Sequence, residues 1–210
     1  MTEMDDVPPS PPPCDVAFTP SVKAAQSRLG SRAHMERMEG ERPWLTEVTD
    51  DLATFLTVVD AFFFATASAD GQPYIQHRGG PPGFLKVIDK RTLGFADFRG
   101  NRQYITVGNL AENPRCHIFI LHFATRQRIK LWGRARYVED DAALMTRLAI
   151  PGYRAVVERA VLFEIEAWDV NCPQHITPRY SEAEIAPAVD KLAARIKELE
   201  DEVARLKAPV

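Results

Sequence analysis

The chain has 210 residues, 45% hydrophobic and 26% charged, with a formal net charge of -3. That length suits one globular domain with appended segments, and the near-neutral charge argues against a protein that grips nucleic acid or an anionic membrane surface. The densest apolar run, Ala61 to Ala67, falls far short of the roughly 20 residues of a membrane span, and the N-terminus lacks a leader pattern, so a cytoplasmic protein is expected.

Residues 1–20 hold Pro8, Pro9, Pro11, Pro12, Pro13 and Pro20, a density that blocks helix and sheet ladders and predicts a disordered tail. Residues 21–45 read as a helical extension, in which Ala24, Ala25, Leu29, Ala33 and Met38 make a weak apolar pattern. The main domain is expected over 46–180. It opens on an amphipathic helix between Thr46 and Asp60, where Val48, Leu52, Phe55, Leu56 and Val59 recur at helical spacing. A hairpin comes next, with Ala61 to Ser68 as a buried strand, Ala69-Asp70-Gly71-Gln72 as a tight turn and Pro73 to Arg78 as the returning strand.

Gly79-Gly80-Pro81-Pro82-Gly83 interrupts the pattern, which resumes at Phe84 to Ile88 and, past Asp89-Lys90-Arg91, at Thr92 to Phe98. Arg99-Gly100-Asn101 leads into a predicted helix from Arg102 to Glu112, closed by Asn113-Pro114. Strands are expected at Cys116 to Phe123, Arg128 to Val138 and Val161 to Trp168, with a short helix from Asp140 to Ile150 between the last two. Six or seven strands joined mostly by tight turns suit an antiparallel barrel. Cys14, Cys116 and Cys172 are odd in number and widely spaced, which predicts free thiols and no structural metal site.

From 181 to 208 the apolar residues Ile185, Val189, Leu192, Ile196, Leu199, Val203 and Leu206 alternate spacings of four and three, a heptad seam with β-branched a positions and mostly Leu at d. Such a seam favours a parallel two-stranded coiled coil. Arg195 and Glu202 fall at g, Glu200 and Lys207 at the following e, so both cross-chain pairings are attractive in a homodimer. The same stripe also suits a helix lying on its own barrel.

Asp97-Phe98-Arg99-Gly100-Asn101-Arg102-Gln103 joins a strand to a helix start, where free backbone N–H groups and guanidinium donors suit an anion. A solvated turn carrying arginines for solubility has the same composition. On the strand after Arg126, Arg128 and Lys130 share one face and Ile129 and Leu131 the other. Gln76-His77-Arg78 running into Gly79 sets polar side chains beside exposed backbone, as suits a flat ring with hydrogen-bonding edges.

The order of these features resembles the FMN-binding split barrel of the pyridoxamine 5′-phosphate oxidase-like superfamily: Phe63 to Arg78, Gly94-Phe95-Ala96-Asp97, Gly100-Asn101-Arg102, Asn109 to Pro114, and Trp132-Gly133-Arg134-Ala135. With Asn171-Cys172-Pro173-Gln174-His175, it is most similar to the flavin-nucleotide-binding branch. The resemblance implies a mainly β fold, a split barrel of six to seven antiparallel strands with flanking helices, forming a homodimer with FMN at the subunit interface. It implies that Gln76, His77, Arg78 and Gly79 line the ring and ribityl chain, and that Asp97, Asn101, Arg102 and Gln103 hold ribityl and phosphate. Arg128 and Lys130 would approach from the basic strand, as from the other subunit, and Gln174 and His175 would close over the ring.

The vitamin B6 oxidases carry a Ser-Arg-Lys phosphate motif and a C-terminal Arg-Leu-His-Asp-Arg type motif. Here the first is Asn101-Arg102-Gln103 and the second is absent, so vitamin B6 oxidation is not expected. The resulting expectation is an FMN-dependent oxidoreductase acting with a small-molecule substrate or NAD(P)H. The alternative is a non-catalytic flavin- or haem-binding sensor acting through its coiled coil, with His117, His122 or His175 as iron ligands.

Overall fold

The structure, a computed structural model, describes residues 11–208. The chain divides into two units, Met1–Leu121 with Gln127–Cys172, and His122–Arg126 with Pro173–Val210. Half of the proline-rich segment expected as a disordered tail, residues 1–10, lies outside the described residues. Its second half is folded, contrary to that expectation. Pro13–Val16 makes a single 3-10 turn that buries Cys14, Phe18 packs 5.3 Å from Trp44, and Pro20 occupies the first turn of a helix whose Thr19 cap accepts from Val22 N at 3.4 Å. Proline is tolerated there because a first-turn N–H has no intrahelical partner to lose.

The extension forms two helices, α1 (Pro20–Arg28) and α2 (Arg32–Glu41), rather than one. Gly30, at φ 79°, breaks the run in a conformation open to glycine. Helix α3 (Asp50–Leu56) is shorter than its apolar pattern suggests. Thr49 caps it by accepting from Leu52 N at 3.2 Å, Asp50 and Asp51 complement its positive end, and Leu52 and Leu56 face the core.

Seven strands succeed it: β1 (Ala61–Ala67), β2 (Pro73–Gly79), β3 (Lys86–Val87), β4 (Thr92–Phe98), β5 (Arg115–His122), β6 (Gln127–Val138) and β7 (Val157–Asn171), with α4 (Ile105–Glu112) and α5 (Ala142–Leu148) between them. They form one antiparallel sheet in the order β2-β1-β5-β6-β7-β4-β3. β3 is reduced to two residues, whereas β7 is far longer than the Val161–Trp168 pattern. The extra length of β7 is supplied by pairing: β4 zips along its first half and β6 along nearly all of it. Alternation places Phe62 and Phe64 of β1, Phe95 of β4, and Phe163 of β7 inside, where they meet Phe84 and are fully buried. Each such side chain contributes about 1.5–3 kcal/mol through removal from water.

The architecture is a split barrel. Among the described residues, no backbone pairing joins β2 to the β4–β3 end of the sheet; side chains span that gap instead, and they build the candidate site.

In the second unit, helix α6 (Glu182–Lys207) starts at a capping box in which Ser181 Oγ accepts from Glu184 N at 3.3 Å and the Glu184 carboxylate accepts from Ser181 N at 2.8 Å. Its heptad residues, Ile185 through Leu206, are all exposed. In the same unit the Arg179 guanidinium lies 4.8 Å from the Phe123 ring centre. Thus the turn 122–126 and residues 173–180 belong with the C-terminal helix rather than with the barrel domain, a boundary that chain order alone conceals.

Candidate functional site

Strands β2, β4 and β6 end where β7 begins, and the period of two sends one polar side chain inward from each. Arg78 stands opposite Phe62 on the inner face, Asp97 pairs across strands with Arg159, and Tyr137 pairs with Val161 two residues further along β7. The apolar interior therefore finishes in a polar cluster.

Arg78 donates to the Asp97 carboxylate across the split, with both side chains largely buried. Arg159 Nε stands 3.8 Å from the second Asp97 oxygen and 3.5 Å from Glu139, and Arg159 Nη2 reaches Glu158 at 3.4 Å. Among the described residues, Arg78 Nε, Arg159 Nε and Tyr137 Oη are buried without a well-formed hydrogen bond. Burial, with Asp97 adding to it, pushes the Tyr137 phenol up to about 12, so it is a neutral donor at ordinary pH. A cluster with donor groups in this state favours a ligand bringing anionic or acceptor oxygens.

A cavity of about 370 Å³ opens at this rim, within the size range of small-molecule sites. Its lining brings together Gln76, His77, Arg78 and Gly79 from β2, Asp97 from β4, and Asn101, Arg102 and Gln103 from the following loop. Thr106 of α4 donates to Gln76 Oε1 at 3.0 Å, and Asn109 donates to Thr66 Oγ1 at 2.9 Å, so two polar bonds dock α4 on β1 and β2. Helix α4 starts at Ile105, not Arg102, because Arg102 and Tyr104 adopt left-handed φ of 61° and 54°. Tyr104 gives α4 no side-chain cap, and the residues of its first turn, Ile105, Thr106 and Val107, are among those lining the cavity, where free helix N–H groups suit an anion.

Arg128 and Lys130 stand elsewhere. They occupy the start of β6 on its outer face, and seven residues at about 3.3 Å each put Lys130 about 23 Å along the strand from Tyr137. Lys130 Nζ sits over the stacked rings of Trp44 and Trp132, at 5.5 and 5.1 Å, with Asp169 at 4.0 Å. Burial lowers its pKa and Asp169 opposes that shift. His117 lies on the same outer face, edge-on to Trp132 at 4.8 Å, and burial with the nearby Lys130 charge holds it down to about 4, hence neutral. Gln174 and His175 belong to the second unit, His175 with φ 64°.

The sequence reading missed Tyr104, Tyr137, Tyr153, Glu158 and Arg159. A signal for Arg159 and Tyr137 existed: each is a polar residue at an inward position of a strand whose other inward positions are apolar. Their significance depends on the strands beside them. Among the described residues, no group of three or more His, Cys, Asp or Glu side chains could hold a metal ion.

The sequence profile described as pyridoxamine 5′-phosphate oxidase matches residues 48–170. No curated protein matches the chain. Similar solved structures include HupZ of Group A Streptococcus, 16% identical with a TM-score of 0.49, the match covering 63% of this chain and 99% of that one. Another is a putative pyridoxamine 5′-phosphate oxidase from Lactobacillus delbrueckii, 18% identical with a TM-score of 0.46, covering 60% and 95%. An FMN-binding protein from Syntrophomonas wolfei is 12% identical with a TM-score of 0.45, covering 72% and 97%.

Proposed function

Because the chain belongs to the pyridoxamine 5′-phosphate oxidase family, we propose that it binds FMN in the cavity at the barrel's split and acts as a flavin oxidoreductase that is not itself a vitamin B6 oxidase. The observation that carries this reading is the convergence of Arg78, Tyr137 and residues 101–107 on one cavity, a donor set that fits a phosphate-bearing ligand. A bound flavin supplies electron acceptance and donation at its ring. The protein's own work is binding and orientation. Asn101, Arg102, Gln103 and the uncapped α4 terminus would hold phosphate, while Gln76, fixed by Thr106, and His77 with Gly79 would meet the ring and ribityl chain. Asp97 would order the two buried arginines while accepting from ligand hydroxyls.

The loss of both vitamin B6 oxidase motifs argues for another small-molecule substrate or for NAD(P)H as the electron partner. The free thiols of Cys14, Cys116 and Cys172 agree with a reducing cytoplasm, and among the described residues no helix is long and apolar enough to cross a membrane.

Purified protein should show paired flavin absorption bands or take up added FMN. A Soret band would favour the haem-sensing alternative, and a colourless chain that ignores FMN would sink the proposal. Replacing Arg102 by Ala should weaken FMN binding by on the order of 1–3 kcal/mol in a fluorescence titration, the worth of a charge-assisted contact. Unchanged affinity would remove Arg102 from the site.

Dimerisation is part of the same proposal. The exposed seam of α6 supports a parallel coil with a second copy, Arg195 facing Glu200 and Glu202 facing Lys207. A parallel coil starts both helices at one end, which keeps the two barrels together. Phe63 and Ile75 on the outer sheet face, both exposed, offer further apolar surface to such a partner. Arg128 and Lys130, on that outer side, would then serve the partner's site rather than their own. Analytical ultracentrifugation should show a dimer that dissociates more readily after truncation at Tyr180; a truncated chain that dimerises equally well would make the coil an accessory.

A further inference from the structure

We propose that Arg159 is a positioning residue that latches the 99–104 loop onto the barrel through Tyr104, and so fixes the loop side chains that meet the ligand. The proposal rests on the cavity being the binding site.

Arg159 is 9% exposed, and its surroundings are arranged on two sides. On one side are carboxylates: Asp97, its direct cross-strand partner, with Glu158 and Glu139. On the other are rings, with the guanidinium carbon 5.1 Å from the centre of Tyr104 and 5.5 Å from that of Tyr137. A guanidinium suits this position because it is planar, so one face can lie against a ring while its edge meets carboxylates.

Tyr104 is the only one of these neighbours that belongs to the loop. The loop's backbone needs holding. Arg102 and Tyr104 both take left-handed φ without being glycine, a conformation that persists only where surroundings over-determine it. Tyr104 in turn accepts from Arg102 Nε at 3.0 Å, so the chain of contact runs from the buried Arg159, through the Tyr104 ring and hydroxyl, to the phosphate-facing Arg102. The loop's first residue is tied separately. Arg99 N donates to Val156 O at 2.8 Å and Arg99 Nε to Glu158 at 2.9 Å, so the Arg159 contact secures the loop's far end.

The Arg159→Lys variant tests this. It keeps a charge for Asp97 and Glu158 but loses the planar face beneath Tyr104. Amide hydrogen exchange should quicken in residues 99–104 while β4 and β7 stay protected, and FMN affinity should fall on the order of fivefold, as for a lost cation–π contact. Tyr104→Phe should weaken FMN less than Tyr104→Ala, because it keeps the ring. In a Tyr104→Ala background, Arg159→Lys should cost nothing further.

Unchanged loop exchange in Arg159→Lys would overturn the latch. Faster exchange with unchanged FMN affinity, or losses that simply add in the double variant, would reduce Arg159 to a structural residue and overturn its positioning role. If the wild-type chain fails to bind FMN, the flavin reading falls, and the exchange measurement still decides whether Arg159 holds the loop.

Discussion

Replacing Asp97 by Ala should lower folding stability by about 3–5 kcal/mol, the usual result of removing one member of a buried ion cluster. Asp97 is 7% exposed and is the anion that both Arg78 and Arg159 share. Without it, Arg78 loses its carboxylate and Arg159 keeps only Glu158 and the exposed Glu139. Neither guanidinium can reach bulk water easily, so the penalty is a desolvated charge left without compensation rather than the loss of one bond. Asp97→Asn, which preserves shape and hydrogen-bonding oxygen, should lose less. Inorganic phosphate at millimolar concentration should restore part of the Asp97→Ala loss, since the cavity would then hold excess positive charge. Urea titrations with and without phosphate supply all three numbers. A shift under about 0.5 kcal/mol for Asp97→Ala, the range of ordinary surface substitutions, would show that Asp97 does not couple the two arginines.

Gly133→Ala should be at least as damaging. A Cβ built on Gly133 would lie 2.0 Å from the carbonyl oxygen of Glu164 and 2.8 Å from Phe163 Cζ. The position is inward-facing and adjoins the shift in register between Trp132 and Gly133, where β7 carries an extra residue against β6. Relief requires moving backbone at the longest pairing in the sheet, which places the cost above the usual 1–3 kcal/mol of overpacking, at about 3–5 kcal/mol or outright failure to fold. Gly108→Ala is the matched control. It lies within α4 with nothing within 4 Å of its Cβ position, and should gain about 0.5–1 kcal/mol from helix propensity. Equal thermal midpoints for the two variants would refute the steric argument.

The elements with strong local signals are legible in the sequence. The apolar run from Ala61 and the Asp70-Gly71 turn place β1 and β2 nearly residue for residue, and Thr92–Phe98 is a strand as its pattern predicts. The heptads of α6 are equally plain, whereas its Ser181 cap is a finding of the structure. Errors fall where a neighbour overrides the pattern. Helix α4 starts three residues late because Tyr104 is held in a left-handed conformation next to Arg159, a contact supplied by a strand more than fifty residues on. Cys14 sits in a proline-rich stretch whose composition points to a loose tail, yet its burial orders the residues around it.

For the site, Gln76 through Gly79, Asp97, and Asn101 through Gln103 stand out because strand ends and a strand-to-helix corner mark themselves by composition. Arg128 and Lys130 have an equally suitable composition, yet a period of two and a long strand carry them to the opposite face and end of β6. Arg159 and Tyr137 carry no such mark as isolated residues. By itself, then, the sequence determined which segments become strands and helices, which face of each is apolar, and that a basic corner follows β4. The tertiary structure alone decided that Arg78, Asp97, Tyr137 and Arg159 share one rim and that Arg159 reaches the loop. Periodicity and capping act within a turn or two of chain, whereas charge pairing follows the register between strands that are distant in sequence.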